Sequence, residues 1–139
     1  EVVTSLLKEY IQNSKRASEQ LDIRLPHGNI WILAQEKILI RILCNLIDNA
    51  LKYSTGDIMF YMWGESEYCH IQISNPSDYI SDEELKSIFD LFYTKDEARI
   101  KSSGIGLYAT RKLVIQISGD IQVNYEAGIF TVSIKLPLI

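Results

Sequence analysis

Asn45-Leu46-Ile47-Asp48-Asn49-Ala50-Leu51-Lys52-Tyr53-Ser54 is the stretch whose residue types and spacing are best suited to chemistry. Asn45 and Asn49 stand one helical turn apart, and Lys52 follows three positions on. On a helix the three side chains share one edge. Amide oxygens are hard ligands that suit Mg²⁺, a cation that keeps several waters and shares phosphate oxygens. An ammonium beside them neutralises phosphate charge. An ordinary amphipathic helix with a polar face of Asn and Lys accounts for the same spacing equally well.

The elements that must position this stretch are legible from periodicity. Leu6 to Gln20 carries apolar residues at helical intervals, and Asp22–Leu25 and Asn29–Ala34 are short β-rich runs around a Pro26-His27-Gly28 turn. Glu36–Tyr53 is the clearest helix, with Ile38, Ile42, Leu46 and Leu39, Leu43, Ile47 spaced for a broad buried face. Ile58–Trp63 and Tyr68–Ser74 alternate and form a hairpin through Gly64-Glu65-Ser66-Glu67. Ser81 and Glu84 make a capping box for a short helix reaching about Phe89. A helix is expected over Ile105–Ser118, stopped by Gly119, and a last hairpin pairs Ile121–Tyr125 with Ile129–Leu136. The pattern predicts an α+β, two-layer sandwich: one mixed, mostly antiparallel sheet with helices on one face.

The 139 residues, 47% of them apolar, fit one compact domain over 1–139. A net charge of −4 gives no reason to expect nucleic acid or an anionic membrane surface as partner. Cys44 and Cys69 lie in apolar segments without metal-type spacing, as free buried thiols do. No apolar run approaches the ~18 residues of a membrane-spanning helix. The expected location is the cytoplasm, with no membrane contact by this chain itself. A first residue of Glu rather than Met suggests a fragment, whose parent can still be membrane-anchored.

Asn45–Ser54 resembles the asparagine box of sensor histidine kinases, in the ATPase superfamily shared with gyrase, Hsp90-type chaperones and mismatch-repair ATPases. The resemblance implies a Bergerat-type ATP-binding fold. It also implies that Asn49 coordinates Mg²⁺, Asn45 supports metal or phosphates, Lys52 contacts phosphate and Tyr53 lines the nucleotide site. Ser102-Ser103-Gly104-Ile105-Gly106-Leu107 resembles the second glycine box, where free N–H groups and a helix dipole receive phosphate oxygens. By itself it is also a tight loop before a core helix. Ile88-Phe89-Asp90-Leu91-Phe92-Tyr93 resembles the phenylalanine box, which in the family helps dock the domain on its partner helices. Phe89 also reads as a core aromatic. Lys95, Arg99 and Lys101 fall where the family has its ATP lid; Lys95 and Arg99 are the expected phosphate contacts, against the alternative of a solvated loop diluted by Asp96 and Glu97.

The first glycine box departs from the family. Its usual Asp-x-Gly-x-Gly aligns with Asn75-Pro76-Ser77-Asp78-Tyr79, followed by Ile80. Asn75 can still accept a hydrogen bond from the adenine amino group. As a neutral acceptor it gives roughly 1 kcal/mol where a charged one gives roughly 1.5–3. Tyr79 puts a side chain where backbone approaches the base, and either swings outward or narrows the pocket.

The superfamily's hydrolases carry a general-base Glu where this chain has Asn45, and an amide takes no proton near neutral pH. Transfer to an imidazole needs no such base. The expectation is a kinase domain that donates phosphate from ATP–Mg²⁺ to a histidine on a separate dimerisation domain, N-terminal in the parent, and through it to a response regulator. Neither His27 nor His70 lies on a helix beside the acidic residue of an acceptor motif. The rival expectation is a degenerate domain, altered at Ser77 and Tyr79, that serves as a non-catalytic interaction module.

Overall fold

The computed structural model describes residues 21–24, 36–90 and 106–137. In chain order these form β1 (Leu21–Arg24), α1 (Glu36–Tyr53), β2 (Ile58–Glu65), β3 (Tyr68–Pro76), α2 (Asp82–Lys86), α3 (Gly106–Gln116), β4 (Asp120–Glu126) and β5 (Ile129–Pro137). The expected helix over 6–20, the run 29–34, the turn at His27 and the stretch 91–105 lie outside the described residues.

The five strands make one sheet in the order β1-β2-β3-β5-β4. β1 runs parallel to β2, and every other pairing is antiparallel, as the mixed sheet was expected to be. Alternation along the strands sorts the side chains. Phe60, Ile73, Val132 and Val123 share one cross-strand row, and Met62, Ile71, Ile134 and Ile121 the next. All but the half-buried Val123 are buried. α1 lies over β3 and beside α3, which reaches β4, so these helices cover that face.

α1 spans the range its periodicity predicts. Leu39, Ile42, Leu43, Leu46, Ile47, Ala50 and Leu51 are buried, while Lys37, Arg41, Asp48 and Lys52 are exposed. Each fully buried Ile or Leu contributes about 1.5–3 kcal/mol through area removed from water. Lys52 in the last turn also suits the negative end of the helix dipole. No helix among the described residues is long and apolar enough to cross a membrane.

Three boundaries differ from expectation. The β2–β3 connection is a two-residue turn, Ser66-Glu67, because Ser66 takes a left-handed φ of 58° and the strand hydrogen bonding extends to Glu65. α2 keeps its capping box, with Glu84 N–H donating to Ser81 Oγ at 3.1 Å and Ser81 N–H donating to Glu84 Oε1 at 3.2 Å. It ends at Lys86, and a turn carries the chain on to Phe89. At the end of α3 the left-handed residue is Ser118 (φ 64°), with Gly119 N–H donating to Val114 O at 2.9 Å in a Schellman arrangement. Gly119 is needed for a different reason. A Cβ there would stand 2.7 Å from Leu136 Cδ2 and 2.8 Å from Lys135 O, so it lets the chain pass close over β5.

Candidate functional site

A helix of regular geometry sets the first part of the site. Asn45 and Asn49 are half-buried on α1 and Lys52 is exposed at its last turn, while Leu46, Ile47, Ala50 and Leu51 between them point into the core. Two amides at this spacing offer two hard oxygen donors along one edge, with a cation beyond them. Lys52 and Tyr53 each engage a neighbour within the fold. This donor set fits a hydrated divalent cation bound to phosphate. Among the described residues no cluster of His, Cys, Asp and Glu offers a competing metal site.

The second part stands at the end of β3. Its odd-numbered residues Cys69, Ile71, Ile73 and Asn75 all face the helices, so Asn75 is a polar residue in an apolar row. It is 3% exposed. Its Nδ2 donates to Pro76 O at 3.1 Å. A carbonyl can only accept, so the amide nitrogen must face Pro76 and the oxygen is the end turned away from it. That leaves an acceptor directed elsewhere, as recognition of an amino group requires.

The two parts are fastened together through Pro76. Thr55 N–H, just past α1, donates to the same Pro76 carbonyl at 2.9 Å. Gly56 permits the approach, since a Cβ there would meet Pro76 Cγ at 3.0 Å. Ser54 Oγ donates to Gly56 O at 2.5 Å and accepts from Gly56 N–H at 3.1 Å, closing the turn. The helix that carries the two asparagines thus ends on the strand that carries Asn75.

Ser77 and Ile80 continue this wall. Ser77 N–H donates to Gly128 O at 3.1 Å, and its Oγ donates to Asp78 O at 3.0 Å. Ile80 is buried in the core. Of the two positions left open for Tyr79, the structure takes the outward one. Its ring is 72% exposed and stands edge-on to Tyr125, centroids 6.2 Å apart at 85°.

α3 begins at Gly106 and packs beside α1, with Leu107, Thr110 and Val114 buried along one stripe. Ser103, Gly104 and Ile105, like Phe92, Lys95 and Arg99, lie outside the described residues. Phe89 packs against the core, as one of its two readings had it, with the Arg111 guanidinium 5.4 Å from its ring centroid. His70 lies on β3 on the face away from the helices, stacked on Trp63 at 5.1 Å.

Both thiols are free. Burial pushes the Cys69 thiol up to about 11. Burial, then the Asp48 carboxylate, raises that of Cys44. Both are held as unreactive thiols at neutral pH.

Pro76, Gly128 and Tyr125 were not legible as parts of this site. The first acts through its backbone carbonyl, and the other two belong to a hairpin far along the chain.

Residues 34–139 match the family described as histidine kinase-, DNA gyrase B-, and HSP90-like ATPase. The chain is 31% identical to the sensor histidine kinase YcbM of Bacillus subtilis (strain 168), over 84% of this chain and 40% of that protein. It is 28% identical to the sensor protein RprX of Bacteroides fragilis (strain YCH46), over 100% of this chain and 28% of that protein. It therefore spans less than half the length of either relative. The catalytic domain of histidine kinase ThkA superposes with a TM-score of 0.81 at 19% identity, covering 96% of this chain and 91% of that one. The chain belongs to the family of histidine kinase-, DNA gyrase B- and HSP90-like ATPases, and its relatives within that family are sensor histidine kinases.

Proposed function

We propose that this chain, as one domain over 1–139, binds ATP with Mg²⁺ and donates the γ-phosphate to a histidine on a separate dimerisation and phosphoacceptor domain. The observation that carries the reading is the Pro76 carbonyl, which ties the Asn45–Asn49–Lys52 edge to the buried acceptor of Asn75. The ligand so read has its phosphates at the helix edge and its amino-bearing base at Asn75. Asn49 and Asn45 hold the metal, and Lys52 faces phosphate. Tyr53 and Ile80 line the nucleotide, Asn75 accepts from the base, and Ser77 shapes the loop beside it. Ser103, Gly104, Ile105, Gly106 and Leu107 receive phosphate oxygens, with Lys95 and Arg99 as cationic contacts and Phe92 as a further contact to the nucleotide.

The chemistry that bound Mg²⁺ supplies is neutralisation of the β- and γ-phosphate oxygens. The chain's own residues bind, orient and exclude water. The incoming imidazole nitrogen forms the N–P bond, the bond from γ-phosphorus to the bridging oxygen breaks, and ADP leaves. Asn45 cannot abstract a proton from water, which favours transfer over hydrolysis. The parent is a cytoplasmic-facing sensor kinase, anchored in a membrane or not, whose phosphorelay ends on a response regulator.

The interaction-module reading rests on Ser77 and Tyr79. The outward ring of Tyr79 removes its main obstruction argument. Calorimetric titration of the chain with a non-hydrolysable ATP analogue, with and without Mg²⁺, separates the two. Metal-dependent binding that disappears in Asn49→Ala and weakens in Lys52→Ala supports the kinase; binding absent, or unchanged in both variants, supports the module. Steady phosphate release by the chain alone would contradict the assignment to transfer.

A further inference from the structure

The loop after β3 lacks the two glycines of its family, yet it is held at three points. Ser77 N–H bonds Gly128 O, Ile80 is buried, and Ser81 caps α2. Tyr79 stands between the first and second of these. Its ring meets Tyr125 edge to face, the geometry that aromatic quadrupoles favour. Tyr125 is itself half-buried against the core, on β4, in the same cross-strand row as Phe130 and Asn75. The partner that receives Ser77 N–H belongs to the same hairpin, whose Ala127-Gly128 turn takes left-handed φ values of 52° and 80°. So the β4–β5 hairpin grips this loop twice, once through backbone and once through an aromatic ring.

We propose that Tyr79 and Tyr125 form a brace that positions Asn75 for the nucleotide base. A glycine loop folds closely around a base through its own conformational freedom. Here a side chain anchored outside the pocket restrains the loop, and the hairpin becomes part of the base-recognition apparatus. Tyr79 is a positioning residue and touches no ligand. The consequence runs against the alignment: returning the family's glycine at this position weakens binding. Glycine removes the ring contact and adds backbone freedom that binding must then remove.

The proposal deepens the nucleotide reading and rests on it, so its test needs a readout that does not use nucleotide. Hydrogen exchange in the ligand-free chain supplies one. Tyr79→Gly and Tyr125→Leu should each speed exchange of the Ser77 amide and its neighbours to Ile80, with α1 and β2 amides unchanged as the check on folding. Each should weaken binding of the Mg²⁺-loaded ATP analogue by about three- to tenfold, the scale of one aromatic pair. Tyr125→Phe keeps the ring and should restore both readouts. The double variant Tyr79→Gly/Tyr125→Leu should be no worse than either single one. Binding by Tyr79→Gly as tight as wild type, or losses that simply add, would overturn the brace. Unchanged exchange in both single variants would do the same without any ligand. A wild-type chain that takes no nucleotide brings down the ligand half together with the functional reading, and the exchange result then decides the brace alone.

Discussion

At one end of the candidate site, Asn45, Asn49 and Lys52 owe their alignment to a single helix. At the other, Asn75 owes its setting to a strand, the turn after α1 and, through Ser77, a hairpin more distant in sequence. The first end is local and partly open to solvent; the second is buried and assembled from separate elements. The difference teaches where each end is vulnerable. A helix edge loses function by losing a side chain. A tertiary assembly loses it when any of its supports shifts.

The largest effect should come from the sheet beneath both ends. Phe60 is fully buried on β2 and paired with Ile73, two residues before Asn75. Phe60→Ala should cost about 3–5 kcal/mol of stability, read by urea unfolding. That is a large share of the roughly 5–15 kcal/mol that holds a domain together. Loss at only one end of the site would break the claim that the sheet supports both.

Next in size, Asn49→Ala should reduce Mg²⁺-dependent nucleotide affinity by about 100-fold or more, because even outer-sphere metal partners are worth about 10–100-fold. Its stability should change by no more than about 0.5 kcal/mol, since the helix edge is not a support. An equal loss in stability would erase the contrast between the ends.

Asn75→Asp sharpens the comparison from the other side. By type the family's carboxylate is the stronger acceptor. In this fold, however, the Nδ2 donor to Pro76 would be replaced by an oxygen facing a carbonyl, in a position 3% exposed. The variant should lose about 1–3 kcal/mol near neutral pH. Burial and the facing carbonyl would raise the introduced carboxyl in the folded state above its unfolded value of about 3.9. Its protonated form can donate to Pro76 O. Stability is therefore retained below the unfolded value and lost as pH rises through the folded one. Urea unfolding should show the gap from wild type widening from about pH 4 to about pH 7. A gap that narrows instead would show that Pro76 does not set the orientation of Asn75.

The smallest effect is at the far side of the loop. Ser81→Ala removes the cap of α2 and should cost about 0.5–2 kcal/mol in thermal or urea unfolding. Nucleotide affinity should fall less than in Tyr79→Gly, because the cap holds the loop only beyond buried Ile80.

What was legible follows the same division. α1 could be read to its ends because every residue from Leu39 to Leu51 obeys one period, and the capping box at Ser81 is a local hydrogen-bond pattern. The sheet with helices on one face followed from the way helices and hairpins are segregated along the chain. The outward turn of Tyr79 did not, since the ring it meets, Tyr125, is close only once β4 and β5 pair. Pro76 was invisible as an anchor because backbone carbonyls leave no mark in residue type. Gly119 was legible as a helix stop only in part: Ser118 takes the left-handed conformation, and the glycine answers to Leu136 and Lys135 across the fold.

Amide-resolved NMR titration of the chain with a Mg²⁺-loaded, non-hydrolysable ATP analogue asks directly whether the two ends belong to one ligand. Shifts at Asn49 and Lys52 and at Asn75 and Ile80 should rise together along one binding curve, and Asn49→Ala should remove both sets at that concentration. Shifts confined to one end, or two curves with different midpoints, would contradict the account.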